Sequence, residues 1–511
     1  MLDSLPLLSI LIWMPIIGGL ILLFLKSVSE KYIRVFGHSV SLATLVLSII
    51  ILNEFDADKY YLQFTERFLW ISNFDIFYHL AIDGFSLIFI MITTITTSLI
   101  LIFSFSENRA QNNKFISLFL ILEGLLIGVF SAFDSILFYI FFESMLIPLF
   151  LIIGIWGGSN RIYATLKFFI YTFVGSVLML ISLIYLSNQA NSFNIVDFYN
   201  LNLPLETQIY IFLAFLIAFG IKIPMWPVHT WLPDAHVEAP SSGSVILAAV
   251  LLKVGGYGLI RFLLPITSDA GFYLNSILIT LSLIAIIYIS FVALAQKDMK
   301  KLIAYSSVAH MGFVTLGIFL AFNIVKPGID KDILLLGLQG SVMQMISHGL
   351  ISAGLFFCIG IIYARTKNRA IDDQSGIGQV MPLFSAMMMF FLLSNAGLPG
   401  TSGFVGEFMV MIAGLEVSYL YAFLASMTLV LAASYSLWLG KRVLFGLPSN
   451  DNINNMSSMK SEEFWPLIIL ILFIILLGVK PGIILDISLA ERQDKHPHAY
   501  LTTYLKMQLF L

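Results

Sequence analysis

The chain has 511 residues, of which 59% are hydrophobic and 11% charged, and its formal net charge is −3. A soluble domain has about 25% charged residues, so the composition indicates an integral membrane protein, and the small net charge argues against a nucleic-acid partner. The single cysteine, Cys358, excludes an iron–sulfur cluster or a thiolate zinc site built from this chain alone. No strand–GxGxxG–helix unit is visible, so no nicotinamide or flavin site is predicted.

A spanning helix needs about 20 apolar residues, and apolar runs predict an all-α polytopic membrane protein with about 14 transmembrane helices, spans 1–14. The first run lacks a basic start and reaches spanning length, so it is interpreted as span 1 and not as a cleaved signal peptide. Spans 1–7 are predicted at 5–25, 34–53, 80–104, 115–132, 135–154, 165–186 and 207–223. Spans 8–14 are predicted at 243–264, 273–295, 302–322, 334–363, 381–414 (interrupted), 418–440 and 464–485.

The distribution of basic residues predicts the orientation. More of the 27 lysines and arginines fall in the loops that follow odd-numbered spans than in the other loops and tails. Because basic residues accumulate on the cytoplasmic side, both termini are predicted to lie outside. Two lysines, Lys222 and Lys253, belong to neither set because they lie inside spans.

Spans 7 and 12 are predicted to be broken. Pro224 and Pro227 interrupt the helix just after Lys222, and GLPGTSG precedes Glu407 in span 12. Irregular backbone at membrane depth survives only inside protein or beside a wet cavity, and paired broken helices indicate an inverted-repeat transporter. The predicted repeats are spans 4–8 and 9–13, which pair Glu143 with His310 and Lys222 with Glu407. The predicted divisions of the chain are 1–110, 111–265 (first repeat), 266–445 (second repeat) and 446–511 (span 14 and tail).

Ionisable residues inside the spans are the candidate functional groups. A lysine at the centre of a membrane helix costs roughly 2.5–3.5 kcal/mol and normally faces a partner, a cavity or an ion path. Glu143 and Lys222 are predicted to form a pair whose changing separation switches the proton affinity of both groups. The alternative is a fixed ion pair that only locks two helices together.

Lys253 is the next candidate, because a buried lysine can release and retake a proton near neutral pH. The alternative is a side chain that snorkels to the interface. His310 and His348 suit a proton relay, although a lone buried histidine is often only a satisfied hydrogen-bond donor. The residues that could hold water near His310 are Tyr305, Ser306, Ser307 and Gln344.

Two further groups leave alternatives open. Glu407, just after the broken part of span 12, is the candidate exit group, whereas Glu123 on span 4 either supports Glu143 or faces a neighbouring subunit. Asp234, His236 and Glu238 are a weak metal-site candidate, since the spacing is common and no fourth ligand is implied. They are interpreted as a proton-uptake motif on the cytoplasmic side or as a packing motif.

Four segments carry a resemblance to a known family: FFESMLIPLFLIIGIWGG, FGIKIPMWPVHTWLPDAHVEAPSSGSVILAAVLLKVGGYGLIR, DMKKLIAYSSVAHMG and GLPGTSGFVGEF. Together they resemble the antiporter-like subunits of respiratory complex I over nearly the whole chain. The resemblance implies Glu143 and Lys222 as the coupled pair, Lys253 and His310 as the central relay and Glu407 as the terminal proton site. Family members differ most at the helix 11 histidine, here His348.

The resemblance also implies a function. The chain is expected to carry protons while electrons pass from NADH to quinone in other subunits, so NADH, FMN, iron–sulfur clusters and quinone belong to the complex and not to this chain. Expected partners are neighbouring antiporter-like chains and the lipid bilayer, in a bacterial plasma membrane or a mitochondrial inner membrane. The alternatives are a subunit of a multisubunit sodium/proton antiporter, which a glutamate at position 407 disfavours, and a scaffold that conducts nothing.

Overall fold

The computed structural model describes residues 5–24, 29–59, 62–106 and 111–488. Within these residues, 13 helices are long and apolar enough to cross a membrane, which agrees with a multi-pass membrane protein. The N-terminal third contains α1 (Leu7–Phe24), α2 (Glu30–Glu54), α3 (Gly84–Ser104), α4 (Asn112–Ser131), α5 (Ser135–Ser144) and α6 (Leu146–Trp156). Of the residues used to predict orientation, Lys26, Arg109, Arg492, Lys495 and Lys506 lie outside the described ranges.

The middle of the chain follows the predicted spans 6–8. Its helices are α7 (Arg161–Ala190), α8 (Ile195–Phe198), α9 (Leu205–Lys222), α10 (Trp231–Glu238), α11 (Ser241–Ile246), α12 (Leu252–Gly258) and α13 (Leu264–Ile266). The last three form one continuous span, Ser241–Ile266, because π-helical turns at Leu247–Leu251 and Leu259–Leu263 join them. Every residue of this span is buried inside the protein.

The remaining helices are α14 (Ser268–Leu294), α15 (Met299–Leu320), α16 (Lys331–Thr366), α17 (Ile377–Val380), α18 (Pro382–Asn395), α19 (Ser402–Val417), α20 (Tyr419–Leu444), α21 (Asp451–Asn454), α22 (Ser461–Val479) and α23 (Gly482–Ser488). Short 3₁₀ turns lie at Ser72–Phe74, Ala321–Val325 and Ile371–Asp373. The middle of the 36-residue α16, residues 340–362, is also buried inside the protein. It packs against α15, α19 and α11, so the centre of the bundle is formed by α16 and the span 241–266.

Both predicted helix breaks are confirmed. Helix α9 ends at Lys222 and the chain re-forms a helix only at Trp231. The other break separates α18 from α19, and Gly397 and Gly400 within it have φ of 78° and 89°, a region that glycine enters without steric cost. Predicted span 12 is this broken pair, so it is not among the 13 long helices.

A third break, in span 5, was not predicted. Helix α5 ends at Ser144 and α6 begins at Leu146. Pro148 explains the position, because a proline ring clashes with the carbonyl group four residues earlier, here that of Ser144. Similarly, span 14 was predicted to continue to 485, but α22 ends at Val479, before Pro481.

The predicted all-α membrane fold is confirmed, and one β-hairpin accompanies the helices. Strand β1 (Gln63–Ile71) pairs antiparallel with β2 (Ile76–Ile82), whose last three residues overlap the start of predicted span 3. The apolar run was mistaken for helix because β2 leads directly into α3, whose N-terminus is capped by Asp83. Glu66 of β1 accepts hydrogen bonds from the backbone N–H groups of Leu8 and Ser9, which fixes the hairpin to the start of α1.

Candidate functional site

Lys253 and His348 are in direct contact at the centre of the bundle. Lys253 is 0% exposed, and its Nζ lies 2.7 Å from Nδ1 of His348 on α16. The same Nζ donates to the carbonyl oxygen of Ala248, which lies in the first π-helical turn; π-bulges are frequent at functional sites. Nε2 of His348 lies 3.0 Å from Oγ of Ser352. The lysine is therefore fully enclosed, which excludes the predicted alternative of a side chain that snorkels to the interface.

Gly349 allows the two helices to approach this closely. A Cβ atom at this position would lie 2.9 Å from the carbonyl oxygen of Ala249 and 3.4 Å from Cε of Lys253. The first distance is shorter than an ordinary van der Waals contact, so a larger residue would separate α16 from the span 241–266. The Lys253–His348 contact thus depends on a glycine next to the histidine.

His310 and Glu407 form a second contact a short distance away. Nδ1 of His310 on α15 lies 2.7 Å from Oε1 of Glu407 on α19, and the same carboxylate oxygen accepts from Nε2 of Gln344 at 2.9 Å. On its other side, Nε2 of His310 lies 3.0 Å from the Tyr435 hydroxyl on α20. These contacts hold the glutamate just after the break in span 12.

The two contacts meet at the histidine rings. The ring centroids of His310 and His348 are 6.0 Å apart, and all four ring nitrogens already have partners. When Lys253 is an ammonium group, it donates to Nδ1 of His348, so the proton of that ring is on Nε2 and points to Ser352. The groups therefore form a buried chain, Lys253–His348–His310–Glu407, with one gap between the two imidazoles.

Lys222 and Glu143 are placed differently. Lys222 is 0% exposed, yet its Nζ has no hydrogen-bond partner in the described part of the chain. It lies 4.9 Å from the ring centroid of Phe142 and 5.8 Å from that of Phe168, within the range of cation–π attraction. Glu143 is half-buried with one carboxylate oxygen unpartnered. The two residues are within electrostatic range, but residues 5–24, 29–59, 62–106 and 111–488 contain no ion pair between them, which disagrees with a locked pair.

The secondary candidates lie away from the buried chain. Glu123 is fully buried and is 3.4 Å from Ser41 Oγ on α2, while its other carboxylate oxygen has no partner among the described residues. Ser306 and Ser307 donate to the Ile303 carbonyl of their own helix. Tyr305 is half-buried and its ring lies 6.5 Å from that of His229. None of these contacts joins them to His310.

Asp234, His236 and Glu238 point in different directions. Asp234 forms an ion pair with Lys167 at 2.7 Å, and Glu238 accepts from the backbone N–H of Asn160 at 2.9 Å. The His236 ring stacks on Phe356 with centroids 4.6 Å apart. No group of three metal-ligating side chains occurs among the described residues. These contacts fit the packing interpretation of the motif.

Two functional candidates were missed in the sequence. Tyr435 was overlooked because tyrosine is common in membrane helices, where it usually marks the interface. Its neighbours Ser434 and Ser436 were the available signal, since polar residues in the middle of an apolar run indicate a helix face turned to other helices. Ser352, four residues after His348 on the same face of α16, could have been found from helical spacing.

Comparison with known proteins places this arrangement in a family. A family model described as the transmembrane region of NADH:quinone oxidoreductase and Mrp antiporters matches residues 132–432. The chain is 43% identical to NADH-ubiquinone oxidoreductase chain 4 of Chondrus crispus, over 92% of this chain and 94% of the relative. It is also 43% identical to NADH-quinone oxidoreductase subunit M of Rhodobacter capsulatus, over 94% of both chains.

The fold gives the same result. A chain of respiratory complex I from Thermus thermophilus with bound NADH superposes with a TM-score of 0.85 and 26% identity, covering 98% of this chain and 99% of that chain. A chain of an archaeal membrane-bound sulfane sulfur reductase has a TM-score of 0.82 at 23% identity, which shows the fold alone. The chain therefore belongs to the family of NADH-quinone oxidoreductase subunit M and NADH-ubiquinone oxidoreductase chain 4, the antiporter-like membrane subunits of respiratory complex I.

Proposed function

We propose that this chain is a proton-translocating subunit in the membrane arm of an NADH:quinone oxidoreductase. The observation that carries the proposal is the buried chain Lys253–His348–His310–Glu407, in which each direct contact is 2.7 Å long. Ionisable groups at this depth are costly and mark ion pathways. A function in proton transfer explains why four of them lie in sequence across three helices and the span 241–266.

The contacts indicate how protons move. A proton on Nζ of Lys253 passes to Nδ1 of His348, which leaves a neutral amine and an imidazolium. All ring nitrogens of His348 and His310 have partners. Transfer between the rings therefore requires that Nε2 of His348 leave Ser352 and that Nε2 of His310 leave the Tyr435 hydroxyl, so that this nitrogen accepts the proton directly or through a bridging water molecule. Glu407 then receives the proton from Nδ1 of His310 and, beside the broken helix, releases it.

Lys222 and Glu143 are the proposed control pair. Within the described part of the chain, Nζ of Lys222 has no hydrogen-bond partner, and Glu143 is half-buried, so their charges are not neutralised by a contact with each other. A charge arriving next to Glu143 alters the field at Lys222 and, through it, the proton affinity of Lys253. Such a charge shift has to come from a neighbouring subunit, and the proposed neighbours are other antiporter-like chains of the membrane arm.

The driving reaction takes place in other subunits. NADH, FMN, iron–sulfur clusters and quinone are proposed cofactors of the whole complex, and the single buried cysteine of this chain supports none of them here. The membrane is a bacterial plasma membrane or a mitochondrial inner membrane, as for the bacterial and organellar relatives. The predicted orientation, with both termini on the outside of the membrane, is part of the proposal.

Two inverted repeats, 111–265 and 266–445, are part of the same proposal. It is supported by the two confirmed breaks, after Lys222 and before Glu407, which lie at matching positions of the repeats. Glu123 is proposed as a secondary proton site, since it is buried and one of its carboxylate oxygens has no hydrogen-bond partner among the residues that the structure describes. Tyr305 and Ser306 are proposed to line the approach to His310 through water.

The sodium/proton antiporter alternative shares the family model, whose description includes Mrp antiporters. The relatives at 42–43% identity over more than nine-tenths of the chain are instead subunits of NADH:quinone oxidoreductases. This similarity favours the redox-driven function. Co-purification with flavin and iron–sulfur subunits in mild detergent tests the choice directly.

The central experiment replaces the control pair in the intact complex. Lys222→Met and Glu143→Gln should each abolish NADH-driven proton pumping through this subunit while the complex still assembles. The matched control is Lys297→Met, which removes an exposed loop lysine and should pump normally. Full pumping by either assembled variant would exclude a control function, and would favour the scaffold alternative.

A further inference from the structure

A second polar cluster lies on the same span as Lys253. Arg261 belongs to the second π-helical turn, Leu259–Leu263, and is only 7% exposed. Its Nη2 forms an ion pair with Asp83, at 2.7 Å from Oδ2 and 2.8 Å from Oδ1. Asp83 caps the start of α3 and its side chain is 26% exposed. The cluster therefore connects the buried span with the surface of the protein.

Hydroxyl groups extend this cluster towards the centre of the bundle. The Tyr257 hydroxyl lies 3.3 Å from Nε of Arg261 and 3.2 Å from Oγ of Ser86, and Nη2 of Arg261 lies 3.3 Å from that same Oγ. Lys253, Tyr257 and Arg261 are spaced by four residues, which places them on one side of the span. A run of hydroxyl groups thus begins one turn beyond Lys253 and ends at the partly exposed Asp83.

Such a run is a potential leak. Hydroxyl groups donate and accept hydrogen bonds, so a proton that left Lys253 towards Tyr257 could pass along Tyr257 and Ser86 to Asp83. A proton that left in this way would bypass His348, His310 and Glu407. Pumping requires that this short route be closed.

Arg261 is placed to close it. A guanidinium group is always charged and cannot pass on a proton, and fixed positive charges exclude protons from water-filled pores. The group is also enclosed by aromatic rings, 4.9 Å from the Phe133 centroid and 5.2 Å from that of Tyr257. The Lys253 side chain turns the other way, since its Nζ bonds to Ala248, five residues earlier in the span.

We propose that Arg261, held by Asp83, is an electrostatic barrier that prevents protons on Lys253 from leaking to the surface along Tyr257 and Ser86. The proposal rests on the proposed function, because it takes Lys253 as a proton carrier. Arg261 is a positioning and barrier residue here, since it contacts none of the four groups in the buried chain. A purely structural role, in which the ion pair only joins α3 to the span 241–266, is the competing explanation.

Two variants distinguish the explanations. Arg261→Gln and Asp83→Asn break the same ion pair, but only the first removes the positive charge. Arg261→Gln removes the positive charge, and the passive collapse of an imposed pH gradient should become on the order of tenfold faster. Asp83→Asn leaves the positive charge, and asparagine also caps helices well, so the leak should stay at the level of the unmodified complex.

The assay uses the intact complex in proteoliposomes containing a pH-sensitive dye, without NADH. The double variant Asp83→Asn/Arg261→Gln leaves no unpaired buried charge, so it provides an assembled complex if Arg261→Gln alone fails to fold, and it should leak as well. Adding Lys253→Met to the leaking variant should return the leak to its original rate. The proposal is overturned if the complex without Arg261 does not leak protons. It is also overturned if Asp83→Asn leaks as fast as Arg261→Gln, or if the leak persists after Lys253→Met is added.

The proposed function is tested separately, by NADH-driven pumping in Lys222→Met. If Lys222→Met no longer pumps and the Arg261→Gln complex does not leak protons, the barrier proposal is refuted and the proposed function is not. Normal pumping in Lys222→Met would count against the control pair, whatever the leak assay shows.

Discussion

Lys222 and Lys253 are equally buried, but their surroundings are opposite. Lys253 is bonded to His348 and to the carbonyl oxygen of Ala248. Lys222 contacts the faces of Phe142 and Phe168, and its Nζ has no hydrogen-bond partner among the residues that the structure describes. The polar groups around Lys253 therefore have hydrogen-bond partners within the chain. Among the described residues, Nζ of Lys222 and one carboxylate oxygen of Glu143 have none.

The energetic consequence follows from the cost of buried charge. A buried ammonium group without a carboxylate or a hydrogen bond is strongly unfavourable, whereas a bonded one is tolerated. The Lys253 region is therefore stable by itself, while the Lys222 region responds to any charge brought close to Glu143. We infer that the first region carries protons and that the second determines when it does so.

The largest expected effect on pumping comes from replacing Lys253. In Lys253→Met the first transfer step is lost, and NADH-driven pumping should fall on the order of 10²-fold, as for removal of a general acid–base group. Lys253→Arg should be equally inactive although it keeps the charge, because arginine does not release its proton. Dye quenching in membrane vesicles measures both, with Lys297→Met as the control. Substantial pumping by Lys253→Arg would show that charge alone is needed at this position.

Stability should respond in opposite directions at the two lysines. Lys253→Met removes the partner of Nδ1 of His348, and an unsatisfied buried group costs about 1–3 kcal/mol. Lys222→Met removes a charge without breaking a hydrogen bond, and its thioether packs well against aromatic rings, so stability should be unchanged or higher. Thiol labelling of Cys358, the single, buried cysteine, reports thermal opening of this subunit on a gel. Equal destabilisation by both changes would contradict the contrast between the two sites.

The sequence was sufficient to find the ionisable groups but not their pairing. Lys253, His310, His348 and Glu407 could be recognised because charged or titratable residues stand out in apolar runs. Their contacts could not, since Lys253 and His348 are 95 positions apart and meet only through the packing of α16 on the span 241–266. The prediction linked Lys253 to His310, whereas the structure places His348 between them.

The same limit applies to the fold. The breaks after Lys222 and before Glu407 were predictable because proline and glycine act locally on the backbone. The β-hairpin was missed since β2 runs directly into the apolar α3, and hydropathy alone does not distinguish a strand from a helix. The π-helical turns around Lys253 carry no local signal of this kind, because their residues are ordinary helix formers such as alanine and leucine.

A smaller change can separate the two helices that carry Lys253 and His348. In Gly349→Ala the added Cβ meets the Ala249 carbonyl oxygen at 2.9 Å, so the helices must move apart by a few tenths of an ångström and the 2.7 Å contact lengthens. Pumping should fall several-fold, since small displacements of reacting groups are costly. Gly154→Ala on α6 is the control, because its Cβ would meet Thr165 only at 3.9 Å. A decrease in Gly154→Ala of the same size would indicate a general effect of changing glycine in these helices.

The smallest expected effect is that of the Tyr435 hydroxyl. Tyr435→Phe removes the partner of Nε2 of His310 but leaves the contact with Glu407, and one hydrogen bond contributes about 0.5–1.5 kcal/mol. Pumping should therefore decrease only about two- to tenfold, through a ring that is less firmly oriented. Tyr421→Phe, a half-buried tyrosine on the same helix, is the control, and pumping measured across a pH range shows whether the titration of the relay has shifted. If Tyr435→Phe abolished pumping as completely as Lys253→Met, the hydroxyl group itself would have to be a step in the proton route, which would then run through α20.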